Sequence, residues 1–309
     1  MVLLLNFSYP IGGIGDDVNI FLAELPVSIT IPSVNLPNME IFKFRIEGKE
    51  AAGVMMGKGR PMIFLHGWGG SKESWELLMT RLGVLGLTEK HCLIALDLPG
   101  FGESEEPETP WSVGDYVNWF EQVLQYLDSE MGIDFSEGYD LAVHSFGGRM
   151  LFKMLGRKDA SKYKLDRLVI IAAAGIKHQK SLKIRVAGTL AKTGKKVLGA
   201  GPLKWVAPLA QKGLYKVLKS HDYEKTSGVM RETFLKVIDE DLRDNVVQGC
   251  KNPALIFWGK KDTYVPVTDA RLIHLKIPGS KLIIFPDGKH GIHRTKAEEI
   301  ADLVSEFIK

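Results

Sequence analysis

The sequence predicts an α/β protein: a doubly wound, mostly parallel sheet of eight strands, with a helical cap inserted after the sixth strand. Short, continuous apolar runs recur along the chain, as strands buried on both faces require. Helical patterns alternate with these runs, which indicates a parallel sheet. The alternation stops between residues 175 and 250, where helical spacing continues and no clear strand pattern occurs.

The first two strands are predicted at Ile41–Ile46, where apolar and polar residues alternate, and at Ala51–Met56. The other six are the solid apolar runs Met62–Leu65, Cys92–Leu96, Leu141–Val143, Leu168–Ile171, Leu255–Trp258 and Leu282–Phe285.

Three helices have clear signals. Ser112 and Asp115 resemble a capping box, with Asp in the place of Glu or Gln, and open a helix that runs through Asp128. The other two are predicted at Phe146–Leu155 and Ala297–Ile308.

The pattern divides the chain into an arm, a core and a cap. Residues 1–38 contain no Lys or Arg and are predicted to form an irregular arm, whose role is left open. Residues 39–174 and 251–309 form the predicted core, and residues 175–250 form the predicted helical cap. The length of 309 residues suits such a core with an insertion.

Composition limits the function classes. The net charge of +3 is too small to indicate a nucleic-acid partner, and no apolar stretch reaches the length of a membrane span. The apolar start lacks the positive region and cleavage site of a signal peptide. Cys92 and Cys250 are isolated thiols without metal-ligand spacing, so we expect packing roles and a cytoplasmic location.

Ser145 follows the apolar run Leu141–Val143 and precedes a helix. A serine on such a strand-to-helix turn presents its hydroxyl at the carboxyl edge of the sheet, where open parallel sheets bind ligands. A helix N-cap serine is the competing interpretation. The Gly147-Gly148 pair favours the tight turn, because glycines let strand and helix approach closely.

The loop from His66 to Gly70 follows the run Met62–Leu65 and is rich in glycine. Its flexible backbone can direct N–H groups inward, so the N–H groups of Trp68 and Phe146 are candidate donors to an oxyanion. A simple glycine-rich turn is the alternative. His66 itself is expected to be a structural hydrogen-bonding residue.

Asp262 and His290 follow two successive predicted strands. Serine needs a base to become a nucleophile, and the base needs a group that orients it. We therefore predict Ser145 as nucleophile, His290 as base and Asp262 as the acid that orients His290. His293 lies nearby but lacks the strand-end position, so it is the weaker candidate for the base.

Five segments together resemble the cap-bearing α/β-hydrolase family over residues 40 to 309. They are His66-Gly67-Trp68-Gly69-Gly70, Asp97-Leu98-Pro99-Gly100-Phe101-Gly102-Glu103-Ser104, His144-Ser145-Phe146-Gly147-Gly148, Trp258-Gly259-Lys260-Lys261-Asp262 and Gly288-Lys289-His290. The resemblance implies the same triad and the same oxyanion donors, and it makes the Asp97–Ser104 segment a structural loop. One departure is Val143, where the family usually has Gly or Ala.

The implied reaction is acyl transfer to water, which needs no metal or organic cofactor. A serine in the nucleophile position excludes the dehalogenases and epoxide hydrolases, which use Asp or Glu. Carbon–carbon bond hydrolases typically carry Asn and Trp where this chain has His144 and Gly291. Cofactor-free haloperoxidases usually have Pro at the position that Gly69 occupies here. A carboxylesterase-like serine hydrolase is favoured. A carbon–carbon bond hydrolase, a haloperoxidase or perhydrolase, and a receptor-like ligand-binding member remain alternatives.

The expected partner is a small-molecule ester. From Lys177 to Lys219 the chain carries eleven Lys or Arg and no Asp or Glu. The plain interpretation is a solvated helix face. The alternative is a surface that attracts anionic esters or contacts an anionic membrane. The oligomeric state is left open.

Overall fold

The computed structural model describes residues 38–178, 227–247 and 250–308, which all fall within the unit Leu36–Lys309. Its strands form one sheet in the order β1-β2-β4-β3-β5-β6-β7-β8. Their bounds are β1 Glu40–Ile46, β2 Lys49–Gly57, β3 Arg60–Leu65, β4 His91–Leu96, β5 Tyr139–His144, β6 Leu165–Ile171, β7 Ala254–Gly259 and β8 Lys281–Phe285.

Strand β2 pairs antiparallel with both β1 and β4, and every other pairing in the sheet is parallel. The prediction of a mostly parallel, eight-stranded sheet is therefore confirmed. Each predicted strand lies inside an observed one.

The α-helices of the described ranges are α1 Glu76–Val84, α2 Val113–Ser129, α3 Phe146–Leu155, α4 Gly228–Asp239, α5 Arg243–Val247, α6 Val267–Lys276, α7 Ile292–Thr295 and α8 Ala297–Ile308. The capping box at the start of α2 is confirmed, since the N–H of Ser112 donates to Asp115 and the N–H of Asp115 donates to the Ser112 hydroxyl. Within the described ranges, no helix is long and apolar enough to cross a bilayer.

The central strands are buried on both faces, which explains their unbroken apolar sequences. Alternate residues of β5 face opposite sides: Leu141 and Val143 pack with α2 and α3, whereas Ala142 packs in the layer that contains α1 and α8. The result is three layers, with helices on both faces of the sheet. This arrangement leaves the carboxyl ends of the parallel strands free to carry side chains at one edge.

The described helices of the predicted cap are α4 and α5, and hydrogen bonds join the end of α4 to α3. Arg149 of α3 donates from Nη1 to the carbonyl oxygens of Val237 and Glu240, at 2.8 and 3.0 Å, where α4 ends. Lys153 forms an ion pair with Glu240. The carbonyls at the end of α4, which have no partner within the helix, are thereby satisfied. The rest of the cap, most of its basic run and nearly all of the arm lie outside the described residues, so the domain boundaries stay predictions.

Candidate active site

Three of the residues singled out by the sequence meet at the carboxyl edge of the sheet. Ser145 follows β5, Asp262 follows β7 and His290 follows β8. The Oγ atom of Ser145 lies 2.9 Å from Nε2 of His290, and Nδ1 of His290 lies 2.7 Å from Oδ2 of Asp262. Because an ionised carboxylate only accepts hydrogen bonds, Nδ1 carries the proton of the neutral ring and Nε2 accepts from the serine hydroxyl.

Ser145 adopts a backbone conformation that L-residues avoid. Its φ is 48° and its ψ is −104°, between the end of β5 and the start of α3. Its side chain makes no capping hydrogen bond to α3. Ser145 therefore occupies the N-cap position of α3 without capping the helix through its side chain, and the hydroxyl points instead to His290. A backbone of this kind costs on the order of 1–3 kcal/mol and persists only where its surroundings hold it.

Close packing and hydrogen bonds hold this turn. The N–H of Ser145 donates to the carbonyl of Ile171, and the Ser145 carbonyl accepts from the N–H of Ala174 at 2.9 Å. A methyl group on Gly148 would lie 2.3 Å from Cβ of Ala173, and one on Gly147 would lie 2.4 Å from a backbone oxygen of β3. The glycine pair thus permits the close approach that the sequence suggested.

Val143 is accommodated without loss of this turn. It is fully buried and pairs in register with Leu65 on one side and Ile170 on the other. The small residues Ala172 and Ala173 follow the neighbouring strand β6. The departure from the usual family residue therefore leaves the geometry of Ser145 intact.

The Asp262 carboxylate is fully occupied by hydrogen bonds. Its Oδ1 atom accepts the backbone N–H groups of Tyr264 and Val265, at 2.8 and 2.9 Å, while Oδ2 faces His290. The side chain is buried. Because both oxygens are held, the carboxylate has one orientation, and that orientation fixes the ring of His290.

In the loop after β3, the peptide bond between Gly67 and Trp68 is pinned in one orientation by hydrogen bonds to its carbonyl oxygen. The carbonyl oxygen of Gly67 accepts from the N–H of Gly70 at 2.9 Å and lies 2.7 Å from Nδ1 of His66. In a trans peptide the carbonyl and the following N–H point in opposite directions. The Gly67 carbonyl is drawn towards His66 and Gly70, so the N–H of Trp68 points the other way. A methyl group on Gly67 would lie only 3.0 Å from Cβ of Ser145, so residue 67 itself packs beside the serine.

His66 has the structural role that the sequence predicted. Its Nε2 atom accepts the backbone N–H of Leu98 at 3.0 Å, so Nδ1 carries the proton that is donated to Gly67. Burial lowers the pKa of His66 to about 4, which keeps the ring neutral. The tautomer is therefore set by contacts on both nitrogens.

Asp97 holds the neighbouring loop, Asp97–Ser104, in place through hydrogen bonds. Its Oδ1 accepts the backbone N–H of Lys72, and its Oδ2 accepts Nζ of Lys72 and the N–H of Glu103. Lys72 is 2% exposed. Burial opposes its charge, but hydrogen bonds to Glu103, Asp97 and Glu73 outweigh that effect and raise the pKa of Lys72. The loop expected to be structural is held by a buried ion pair.

His293 is not placed to act on the serine. It is 5% exposed, and its ring contacts His144, with centroids 3.8 Å apart, and Trp75, at 5.3 Å, both in tilted arrangements. Burial lowers the pKa of His293 to about 3, so the ring is neutral. The contact to Ser145 is made by His290.

Two neighbours of His290 were not predicted as site residues. Nε2 of His144 lies 3.1 Å from the carbonyl oxygen of His290, and the ring of Tyr264 stacks on the His290 imidazole. His144 stands directly before Ser145 and Tyr264 two residues after Asp262, so proximity to predicted site residues was the signal that could have found them.

An aromatic cluster covers the side of the site near Trp68. The Trp68 ring contacts Phe101, Phe146 and Phe234, with centroid distances of 4.9, 5.4 and 5.1 Å. Phe234 belongs to α4, and Met230 of the same helix lies against Gly100. Helix α4 therefore packs beside the pinned loop through apolar contacts.

Comparison with known proteins gives one family. The family model described as the alpha/beta hydrolase fold matches residues 60–297. The AB hydrolase superfamily protein YisY of Bacillus subtilis is 28% identical over 272 residues, covering 82% of this chain and 92% of that protein.

Solved structures share the same fold. A bromoperoxidase from Bacillus anthracis superposes with a TM-score of 0.63 at 20% identity, over 88% of this chain and 99% of that one. An esterase from Exiguobacterium antarcticum superposes with a TM-score of 0.61 at 22% identity, over 85% of this chain and 97% of that one. These neighbours carry different activities on one architecture, so the likeness concerns the fold.

Proposed function

The chain belongs to the α/β-hydrolase family, and from that premise we propose that it is a serine hydrolase that cleaves carboxylic esters through an acyl-enzyme intermediate. The observation that carries the proposal is the continuous hydrogen-bonded series from Ser145 through His290 to Asp262. Each member has a geometry suited to one role: a partly buried, strained turn for the nucleophile, a fixed tautomer for the base and a fully held carboxylate behind it.

In acylation, Ser145 Oγ attacks the ester carbonyl carbon while its proton moves to Nε2 of His290. Asp262 stabilises the imidazolium that forms, because its Oδ2 accepts the Nδ1 proton. The tetrahedral intermediate then collapses, and His290 returns the proton to the departing alkoxide. The products of this half-reaction are the alcohol and the acyl-Ser145 ester.

The oxyanion of the intermediate is proposed to bind the N–H groups of Trp68 and Phe146. Support comes from the pinned Gly67 carbonyl, which turns the Trp68 N–H away from His66, and from Phe146 as the first residue of α3. A donor that is fixed before reaction needs no reorganisation and contributes on the order of 10²–10³ in rate.

Deacylation repeats the same chemistry with water. His290 removes a proton from water as the water oxygen attacks the acyl carbon, and the second oxyanion is bound as the first. Collapse returns the proton to Ser145 Oγ and releases the carboxylic acid. No other group of the described site is needed to balance the reaction.

Ester hydrolysis is preferred to carbon–carbon bond cleavage on two residues. His144 and Gly291 occupy the positions where carbon–carbon bond hydrolases typically carry Asn and Trp. We further propose a small-molecule ester as the substrate, with the basic run from Lys177 to Lys219 favouring an anionic one. Most of that run lies outside the described residues.

The experiment is a panel of p-nitrophenyl esters of increasing acyl length, combined with labelling by a fluorophosphonate. The proposal expects multiple turnover on at least one ester and a single phosphonylated peptide that contains Ser145. Labelling of another residue would contradict the assignment of the nucleophile. Stoichiometric binding of esters without turnover would instead indicate a receptor-like member of the fold.

A further inference from the structure

The imidazole of His290 has ring neighbours on an inner and an outer side. The inner neighbour is His144, which is 7% exposed, with ring centroids 4.8 Å apart. The outer neighbour is Tyr264, which is 51% exposed, at 5.1 Å and with ring planes only 26° apart. The His290 side chain keeps 19% exposure. Tyr264 therefore covers part of the side from which water would reach the ring.

The inner side is rigid. Nε2–H of His144 donates to the carbonyl oxygen of His290 at 3.1 Å, so it holds the backbone of the residue whose ring it also contacts. Burial holds the pKa of His144 well below its ordinary value. His144 is thus a neutral support that does not compete with His290 for a proton.

The outer side is tied to Asp262. The backbone N–H of Tyr264 donates to Oδ1 of Asp262, whose Oδ2 faces His290. The same residue therefore orients the carboxylate through its main chain and stacks on the imidazole through its side chain. Two hydrogen bonds along the edge of the imidazole leave it free to tilt out of plane, whereas a stacked ring resists that tilt.

We propose that Tyr264 is a positioning residue for the proposed hydrolysis: its ring holds the His290 imidazole between Ser145 and Asp262 and stabilises the protonated ring by cation–π attraction. The inference rests on the proposed function. The Tyr264 ring lies nearly parallel to the His290 imidazole, which becomes cationic in each half-reaction, so the two rings can attract each other by a cation–π interaction.

The groups that face His290 determine how its titration responds. Among the described residues they are Asp262, Ser145 and Tyr264, together with the neutral histidines His144 and His293. Among them, Asp262 is the carboxylate that hydrogen-bonds to the ring. Removal of the Tyr264 ring therefore changes one favourable contact to the imidazolium and leaves the charged partner in place.

The test compares Tyr264→Leu and Tyr264→Phe, with Leu275→Ala as an exposed control on α6. The Leu variant is expected to lose about 5- to 10-fold in kcat on a p-nitrophenyl ester, with KM changed less than about twofold. The Phe variant keeps the ring and should stay within about twofold of wild type. The acid limb of kcat/KM in the Leu variant should move down by about 0.5 pH unit.

A second readout does not depend on turnover. The His290 ring proton is titrated by NMR in the wild type, Tyr264→Leu and Tyr264→Phe, with His290→Gln to assign the signal. A lower midpoint in the Leu variant alone supports the positioning role, even if every ester in the panel is inert and the proposed function fails. Equal midpoints and equal kcat in all three proteins would overturn it. So would a Phe variant that is as impaired as Leu.

Discussion

Gly67 packs directly against Ser145: a methyl group at Gly67 would lie 3.0 Å from Cβ of Ser145 and 2.7 Å from Nδ1 of His144. Both distances are shorter than van der Waals contact. The pinned loop and the serine turn therefore fit together only when residue 67 has no side chain.

We predict that Gly67→Ala lowers kcat on the best p-nitrophenyl ester by about 100-fold, because a small displacement of the donor and the serine misaligns both. Gly114→Ala in α2 is the matched control, since a methyl group there meets only ordinary contacts. That control should keep full activity and gain slightly in stability. A Gly67→Ala enzyme with wild-type kcat would contradict the proposed position of the Trp68 N–H.

Ser145→Ala is expected to abolish ester hydrolysis. Loss of the nucleophile of a triad costs on the order of 10⁶ in kcat, because the remaining groups cannot form an acyl-enzyme. The circular dichroism spectrum and the urea unfolding midpoint should stay close to wild type. A variant that keeps a tenth of the activity would rule out Ser145 as the nucleophile.

Lys72→Met is expected to destabilise the fold by about 3 kcal/mol, since it leaves the buried Asp97 carboxylate without its countercharge. The measurement is the free energy of unfolding in urea. Arg45→Met removes the exposed pair with Glu50 and should cost under about 1 kcal/mol. Similar costs for the two variants would show that the Lys72–Asp97 pair is no more important than a surface contact.

The buried His293 is expected to lower the free energy of unfolding in acid. Burial lowers its pKa from 6.5 to about 3, so between these values the unfolded chain binds the extra proton. Its contribution is fully present above pH 6.5 and declines as the pH falls. The free energy of unfolding falls between pH 7 and pH 5 in the wild type. We predict that this fall is about 2 kcal/mol smaller in His293→Phe. His144 contacts residue 293, so the difference measures His293 together with its effect on His144.

If the basic run faces the substrate entrance, hydrolysis of an anionic ester should be sensitive to salt. Attraction between exposed charges is screened over about 8 Å at physiological ionic strength. Raising the salt concentration is expected to lower kcat/KM for a charged ester and leave a neutral analogue nearly unchanged. Reversing the charge of Lys195 and Lys196 should weaken the effect. Equal responses of the two esters would favour a solvated helix face.

The sequence by itself determined the order of the strands along the chain and the residues that follow them. Solid apolar runs mark strands buried on both faces, and Ser145, Asp262 and His290 each come just after one. This part is local, because burial on both faces imposes a continuous apolar pattern on a few neighbouring residues. The capping box at Ser112 is local too, because its hydrogen bonds join residues that are three positions apart.

Only the tertiary structure decided which side chains touch. His290 and Ser145 are 145 residues apart, and their 2.9 Å contact depends on β5 and β8 ending at the same edge of one sheet. The stacking of Tyr264 on His290 and the burial of Lys72 against Asp97 have no periodic signal either. Contacts of this kind depend on loop paths between strands, which hydrogen bonds and packing set after the sheet has formed, and no pattern of neighbouring residues encodes them.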